Sequence, residues 1–326
     1  MERLTKIAEM ILAEAKAKGA DYAQCVVRES EKREFNVDGG RFSLMRTLFD
    51  RDLSVTVLKD QRKGSVHVNR FDDEAVLKAV SECIDACESA APDPAWQFAD
   101  EPVRKDFTEG EPECDTDRLF SRTKELLEDI RTRHPKILVE QMITEHNAYR
   151  SVFMSSNDVV YRTTAGAYNF SLMYSAHEGE KSSSFYGSDV TVKTLDRPVI
   201  ECALIDRELS EIEKQLDTTP LSGKFTGTVL LSPYALTEIV LSTILSSFVS
   251  DSGLIDGTSI WKDKLGEKVA DERFSMAINA QSEDIVVGNH ITGEGYPAEN
   301  FDLIRDGRLV SFALSQYGAN KTGGKR

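Results

Sequence analysis

Arg51–Ala91 reads RDLSVTVLKDQRKGSVHVNRFDDEAVLKAVSECIDACESAA. Leu53, Val55 and Val57 alternate with other residues, the period of a half-buried strand, and Ser65–Asn69 returns as a second strand after a turn at Lys59–Gly64. Asp72 or Asp73 then caps a helix whose apolar face is Val76, Leu77, Val80, Cys83, Ile84 and Cys87. A tight hairpin leading straight into a one-faced helix predicts an antiparallel sheet with helices laid on it. That is an α+β fold.

The same plan extends in both directions. Upstream, Leu4, Ile7, Ile11, Leu12 and Ala15 make the buried face of a first helix, with Gly19 as its C′ residue. Tyr22–Val37 and Arg41–Phe49 flank Asp38-Gly39-Gly40, a hairpin signal. Residues 1–91 are therefore predicted as an N-terminal α+β domain. Residues 92–114 hold four of the nine prolines (Pro92, Pro94, Pro102, Pro112) amid acids, which predicts a linker. A middle α+β domain is predicted over 115–217. It opens on a helix with Leu119, Phe120, Leu126, Leu127 and Ile130 on one face. Strands follow at Ile137–Thr144, Tyr149–Ser155, Val159–Thr164, Tyr168–Ala176 and Ser182–Val192, with turns at Asn157-Asp158 and Glu178-Gly179, and a helix over Val199–Leu216 closes the unit. Helix, hairpins, helix is thus read twice, without a repeat at the level of residues.

The remainder, 218–326, is predicted as a β-rich C-terminal domain with one long helix. Its key stretch is Gly227–Ala270, GTVLLSPYALTEIVLSTILSSFVSDSGLIDGTSIWKDKLGEKVA. A strand leads to Ser232-Pro233, where a hydroxyl can cap and proline suits the first helical position. Leu236, Ile239, Val240, Ile244, Leu245 and Phe248 then form an apolar stripe along a helix at Tyr234–Val249.

Three segments in order resemble the TldD/PmbA family, also called modulators of DNA gyrase. They are the hairpin-then-helix of Arg51–Ala91, the segment Gly227–Ala270, and Gly293–Arg326, with its Asp306-Gly307-Arg308-Leu309 turn and Thr322-Gly323. In TldD-type members the helix of the second segment carries an HExxxH zinc-protease motif. The matching residues here are Thr237-Glu238-Ile239-Val240-Leu241-Ser242, with hydroxyls at both histidine positions. The resemblance therefore points to the PmbA/TldE branch, whose members also lack the motif.

That substitution decides the expected chemistry. A catalytic zinc needs three imidazole, thiolate or carboxylate ligands plus a water, and neutral hydroxyls are poor replacements. Without a metal no water is acidified, so Glu238 is left with nothing to activate and reads as an ordinary helix residue. No catalytic, cofactor-binding or metal-binding residue is expected in this chain. Residues five apart on a straight α-helix point roughly 140° apart, so a motif of this spacing calls for local distortion or a helix end.

The resemblance implies a partner role: pairing with a zinc-bearing TldD-type chain that degrades extended or unfolded peptides, bound by strand addition to a sheet edge. Two other readings stand beside it. One is a homodimeric peptide-binding module without protease activity. The other is a divergent metal-dependent hydrolase using Glu238 with His290. Family members continue beyond the Thr-Gly segment, and in TldD-type chains the final portion supplies a cysteine ligand. With Arg326 as the last residue, the third unit is expected to lack its last strands and to expose unpaired edges and apolar surface. The chain is accordingly not expected to behave as a simple monomer.

Composition narrows the classes further. With 40% hydrophobic and 29% charged residues the sequence is that of an ordinary globular protein. No apolar run approaches a membrane span, and the N-terminal amphipathic segment carries acids unlike a signal peptide, so a cytoplasmic location is the default. A formal charge of −15 argues against direct contact with nucleic acid, whatever the family's name suggests. The five cysteines are scattered, and Cys83 and Cys87 read as buried thiols on a helix face. His177-Glu178 lies in a turn context rather than on a helix with a second histidine. His290 with Glu294 in a Gly-rich loop is a candidate ligand-binding pair. No nucleophile elbow, P-loop or dinucleotide fingerprint occurs.

Overall fold

The computed structural model describes residues 1–220 and 222–326. Helix α1 (Glu2–Ala17) leads into strands β1 (Tyr22–Asp38), β2 (Arg41–Lys59) and β3 (Arg62–Val68), then helix α2 (Asp73–Ser89). Gly39 and Gly40 both take positive φ at the first hairpin, as the mirror-image turns of hairpins require. At the second hairpin Asp60 and Gln61 do so, and Gly64, expected within the turn, lies inside β3. Of the two candidate caps it is Asp72 whose carboxylate accepts from the Ala75 amide, at 3.1 Å.

Strand β4 (Val103–Gly110), helix α3 (Thr116–Arg133), β5 (Ile137–Ser155), β6 (Val159–Glu178), the short β7 (Lys181–Ser182), β8 (Tyr186–Val192) and helix α4 (Ile205–Lys214) follow. The sheet order is β3-β2-β1-β5-β6-β4, with β7 and β8 also on β6. Neighbours are antiparallel except β4, which runs parallel to β6. The two helix–hairpin units are thus one sheet, joined where β1 pairs β5 from Gln24↔Ser155 to Asp38↔Gln141. The 92–114 stretch, expected as a connector only, contributes strand β4. Two expected strand pairs are also single long strands, β5 and β6. The helix expected over Val199–Leu216 is a 3-10 turn (Val199–Glu201) and then α4, separated at Ala203 with φ +48°.

Strand periodicity places both helix pairs on one face of this sheet. Ala23, Cys25 and Val27 of β1 join Leu53, Val55 and Val57 beneath α1 and α2. Farther along the same face, Phe35 and Val37 join Met142, Tyr168, Phe170 and Tyr174 beneath α3 and α4. Cys83 and Cys87 of α2 are buried in the first of these cores, their thiols donating to the carbonyls of Val55 and Val57 at 3.6 and 3.1 Å. Near one end of the opposite face, Phe153, Val159 and Tyr161 pack with Ala99, Ile291 and Tyr296.

His146 is buried on the helix side of β5, tilted against Tyr168. Its Nε2–H donates to the Glu111 carbonyl at 2.7 Å, because a carbonyl can only accept. Burial pushes the imidazole below its ordinary value, and the Glu111 bond only partly offsets that. The unfolded chain then binds the proton more tightly than the native one. Stability from this group is full above the unfolded value of about 6.5 and is lost as pH falls through it. A His146→Gln chain is expected to lose less stability between about pH 7 and pH 5 than the parent. Urea midpoints across that range check this, and parallel slopes would clear the imidazole of responsibility.

The last third holds helix α5 (residues 233–248), α6 (Asp251–Ile255), strands β9 (Met276–Asn279), β10 (Asn300–Arg305) and β11 (Arg308–Leu309), and α7 (Gln316–Thr322). Its core gathers Ile244, Val249, Trp261, Met276, Leu303, Ile304 and Leu309. Strands are few and short here, against the β-rich expectation. The segment Gly227–Leu231 pairs with no strand among the described residues, and Val229 and Leu230 are 73% and 95% exposed. Trp96 stacked on Tyr317, and Lys321 with Asp93 at 2.8 Å, tie α7 to the segment after α2.

Candidate functional site

Ser232 begins α5 as expected, its Oγ accepting from the Ala235 amide at 3.2 Å with Pro233 next in line. After this turn the helix widens. Leu236–Leu241 and Ile244–Phe248 are π turns, and the Ser242 amide donates to the Thr237 carbonyl five residues back. Residues five apart therefore lie much nearer one face than on a straight α-helix. The distortion that the 237/242 spacing calls for is present.

The side chains at these positions are occupied with the helix itself. Thr237 Oγ1 donates to the Pro233 carbonyl at 3.0 Å, Ser242 Oγ to the Glu238 carbonyl, and Thr243 Oγ1 to the Ile239 carbonyl at 2.6 Å. Hydroxyls bonding back in this way loosen and bend a helix, which fits the π turns. Glu238 is exposed, and among the described residues its carboxylate has no hydrogen-bond or ion-pair partner. Ile239, placed on the apolar stripe by its spacing, is 61% exposed, whereas Ile244 is buried.

His290 is not joined to Glu294. Its Nε2 lies 2.6 Å from Glu109 Oε1, the other carboxylate oxygen accepts from the Gly288 amide at 2.9 Å, and the ring stacks on Phe107. This clasp fastens the loop before β10 to β4. Sequence reasoning missed it because its partners are 181 residues apart and β4 was hidden in a proline-rich stretch. His177 Nε2 lies 2.9 Å from Ser175 Oγ, which bonds Glu140 at 3.1 Å. Ser175 is buried and the acid contacts the serine, not the imidazole, so the order of a nucleophilic triad is absent.

Two domain models of one family match the chain. PmbA/TldA metallopeptidase domain 1 covers residues 23–90, and the PmbA/TldA metallopeptidase C-terminal domain covers residues 222–326. Together they span more than half of the sequence. The chain belongs to the TldD/PmbA family. An uncharacterized protein of Methanocaldococcus jannaschii is 23% identical over 99% of this chain and 72% of its own length. The fold matches TldE from Thermococcus kodakarensis with a TM-score of 0.80, at 17% identity, over 98% of this chain and 72% of that one. It also matches a protein described as a candidate modulator of a DNA gyrase from Thermotoga maritima, with a TM-score of 0.76 at 15% identity, over 98% and 73% of the two chains.

A metallopeptidase family raises the question of zinc. The residues at α5 do not fit it: the two hydroxyls are turned onto helix carbonyls and Glu238 alone offers a metal-type oxygen. Among the described residues no three His, Cys, Asp or Glu side chains converge in a way that could hold a metal ion. No helix among them is long and apolar enough to cross a membrane.

Proposed function

We propose that this TldD/PmbA chain is a non-catalytic, TldE-like subunit acting in the cytoplasm with a zinc-bearing TldD-type chain in the breakdown of extended or unfolded peptides. The observation that supports this reading is the helix at 237–242. Its π turns bring both motif positions toward one face, and those positions present hydroxyls already bonded to the backbone. Glu238 has no activated water to deprotonate, so this chain contributes shape and binding surface while the hydrolytic step belongs to the partner. Mixing the purified chain with a TldD-type protein and following peptide cleavage tests it. Cleavage is expected only from the mixture, and a chelator should abolish it. Chelator-sensitive cleavage by this chain alone would overturn the partner role.

A further inference from the structure

Between the two helix pairs a strip of the sheet is left uncovered. Alternation from Val27 to Phe35 puts Glu29, Glu31 and Arg33 of β1 on the helix side, and the ladders carry two rows across the strands there. One row is Arg51, Glu29, Arg150 and Thr164, and the next is Phe49, Glu31, Ala148 and Gly166. The second row ends on small residues because the chain crosses above it. A Cβ on Gly166 would stand 2.0 Å from the Glu111 carbonyl oxygen. Pro112 of that crossing walls one end of a cleft of about 330 Å³, a volume within the range of small-ligand sites.

The charges around this cleft run against those of the chain. Arg3 of α1 lies 3.2 Å from Glu29 and Arg51 lies 3.7 Å from it, and both guanidiniums also stand over the ring of Phe71. Arg33 takes Glu31 at 2.6 Å and donates to Thr116 Oγ1, at the start of α3, at 2.9 Å. Both carboxylates are thus matched before Arg150 is counted. Arg150 stands opposite Glu29 in the ladder, yet among the described residues its guanidinium has no hydrogen-bond, ion-pair or ring partner. Asp50, a further acid along the cleft, alternates to the other face of β2. The arginines Arg3, Arg33, Arg51 and Arg150 therefore outnumber Glu29 and Glu31, in a chain whose formal charge is −15.

We propose that this cleft binds a small organic anion. Arg150 and Arg51, on either side of Glu29, hold its carboxylate or phosphate, and Phe49, Ala148 and Pro112 receive an apolar body. A guanidinium fork matches either oxyanion in bidentate fashion, and one without a partner gives up no existing bond when the ligand arrives. The rest of the acidic surface repels anions, so the field of these arginines selects the place where one can settle. The ring of Phe49, 74% exposed, gains cover from such a ligand. The site shares no residue with α5 and does not rest on the partner role.

The test titrates the whole chain with phenyl phosphate and with phenylacetate, which share an aromatic ring and differ in the anion, followed by calorimetry. Saturable binding of at least one is expected at millimolar concentration or below, and the better of the two tells which oxyanion the cleft prefers. Benzyl alcohol keeps the ring without the charge, and inorganic phosphate keeps a charge without the ring. Each should bind about tenfold more weakly than the better probe, or worse. Arg150→Met should raise the Kd of that probe about tenfold or more, whereas Arg207→Met, at an exposed arginine of α4, should change it little. Ala148→Leu fills the floor without touching a charge and should abolish binding while the circular dichroism spectrum stays that of the parent. No binding of either anion, an Arg150→Met chain no weaker than Arg207→Met, or a folded Ala148→Leu chain that still binds would overturn the assignment. So would inorganic phosphate matching the better probe. None of these readouts involves peptide cleavage, so the site and the partner role can fail separately.

Discussion

Gly64→Ala is expected to cost about 3 kcal/mol of stability, the upper range for forcing atoms into a filled interior. Gly64 lies in β3 directly under α2. A Cβ there would stand 2.2 Å from the Cys83 carbonyl oxygen and 2.8 Å from the Cys87 nitrogen. Both are backbone atoms of the helix, so no rotamer change relieves the clash. The helix would have to lift as a body. That would part Val76, Val80, Cys83 and Cys87 from Val55 and Val57, all now fully buried, and stretch the two thiol–carbonyl contacts. Gly187→Ala is the matched control, because its Cβ would meet only the Leu172 carbonyl oxygen, at an ordinary 3.6 Å. Urea unfolding followed by circular dichroism should give a clearly lower midpoint for Gly64→Ala. Equal midpoints for the two variants would mean that α2 does not rest on β3 as described.

Local turn chemistry was the most legible part of this fold. Asp38-Gly39-Gly40, Asn157-Asp158, Glu178-Gly179 and Asp306-Gly307 all turn the chain, each with a positive φ. The alternation at Leu53–Val57 and the helix face from Val76 to Cys87 also stand, since both patterns report burial on one side. What failed were readings in which burial and hydrogen bonding part company. Glu145 and Asn147 break the apolar pattern between the expected strands Ile137–Thr144 and Tyr149–Ser155, yet β5 runs through them. They lie on the face away from the helices, where polar groups cost nothing, and the ladder to β1 and β6 continues regardless. Strand β4 is charged and bracketed by prolines, and only its pairing to β6, more than fifty residues on, makes it a strand. Conversely, Val229–Leu231 has strand composition but, among the described residues, no strand beside it. A propensity becomes a strand only where an edge receives it.

The candidate site was legible in composition and not in geometry. Ser232-Pro233 announced the helix start, and the residues at 237 and 242 are hydroxyls in the sequence itself. The π turns were not legible, because nothing in a 3.6-residue pattern marks hydroxyls that bond back onto carbonyls. The outward turn of Ile239 belongs with that widening, since a stripe drawn for an α-helix drifts off the core face once the turn gains a residue. The clasp of His290 with Glu109 was beyond reach for another reason: it depends on a strand that itself escaped notice.

Placing imidazoles at 237 and 242 turns the geometry of α5 into a measurement. A chain carrying Thr237→His with Ser242→His is expected to bind zinc, where the parent offers only hydroxyls and one carboxylate. A second chain, Ile239→His with Ser242→His, sets the same ligands three apart, which stand about 60° apart on an ordinary α-helix but about 110° apart on π turns of roughly 4.4 residues. All three positions are exposed, so neither pair disturbs the core. On π turns the five-apart pair should bind more tightly, by about tenfold or more, and on a regular helix the order should reverse. Competition with a chromophoric chelator gives both constants directly. Neither chain is expected to cleave peptides, because two protein ligands fall short of the three a catalytic zinc requires. Tighter binding by the three-apart pair would show that 237 and 242 do not share a face. The lost-motif reading of this helix would then have no geometric support, and Glu238 would be an ordinary exposed carboxylate.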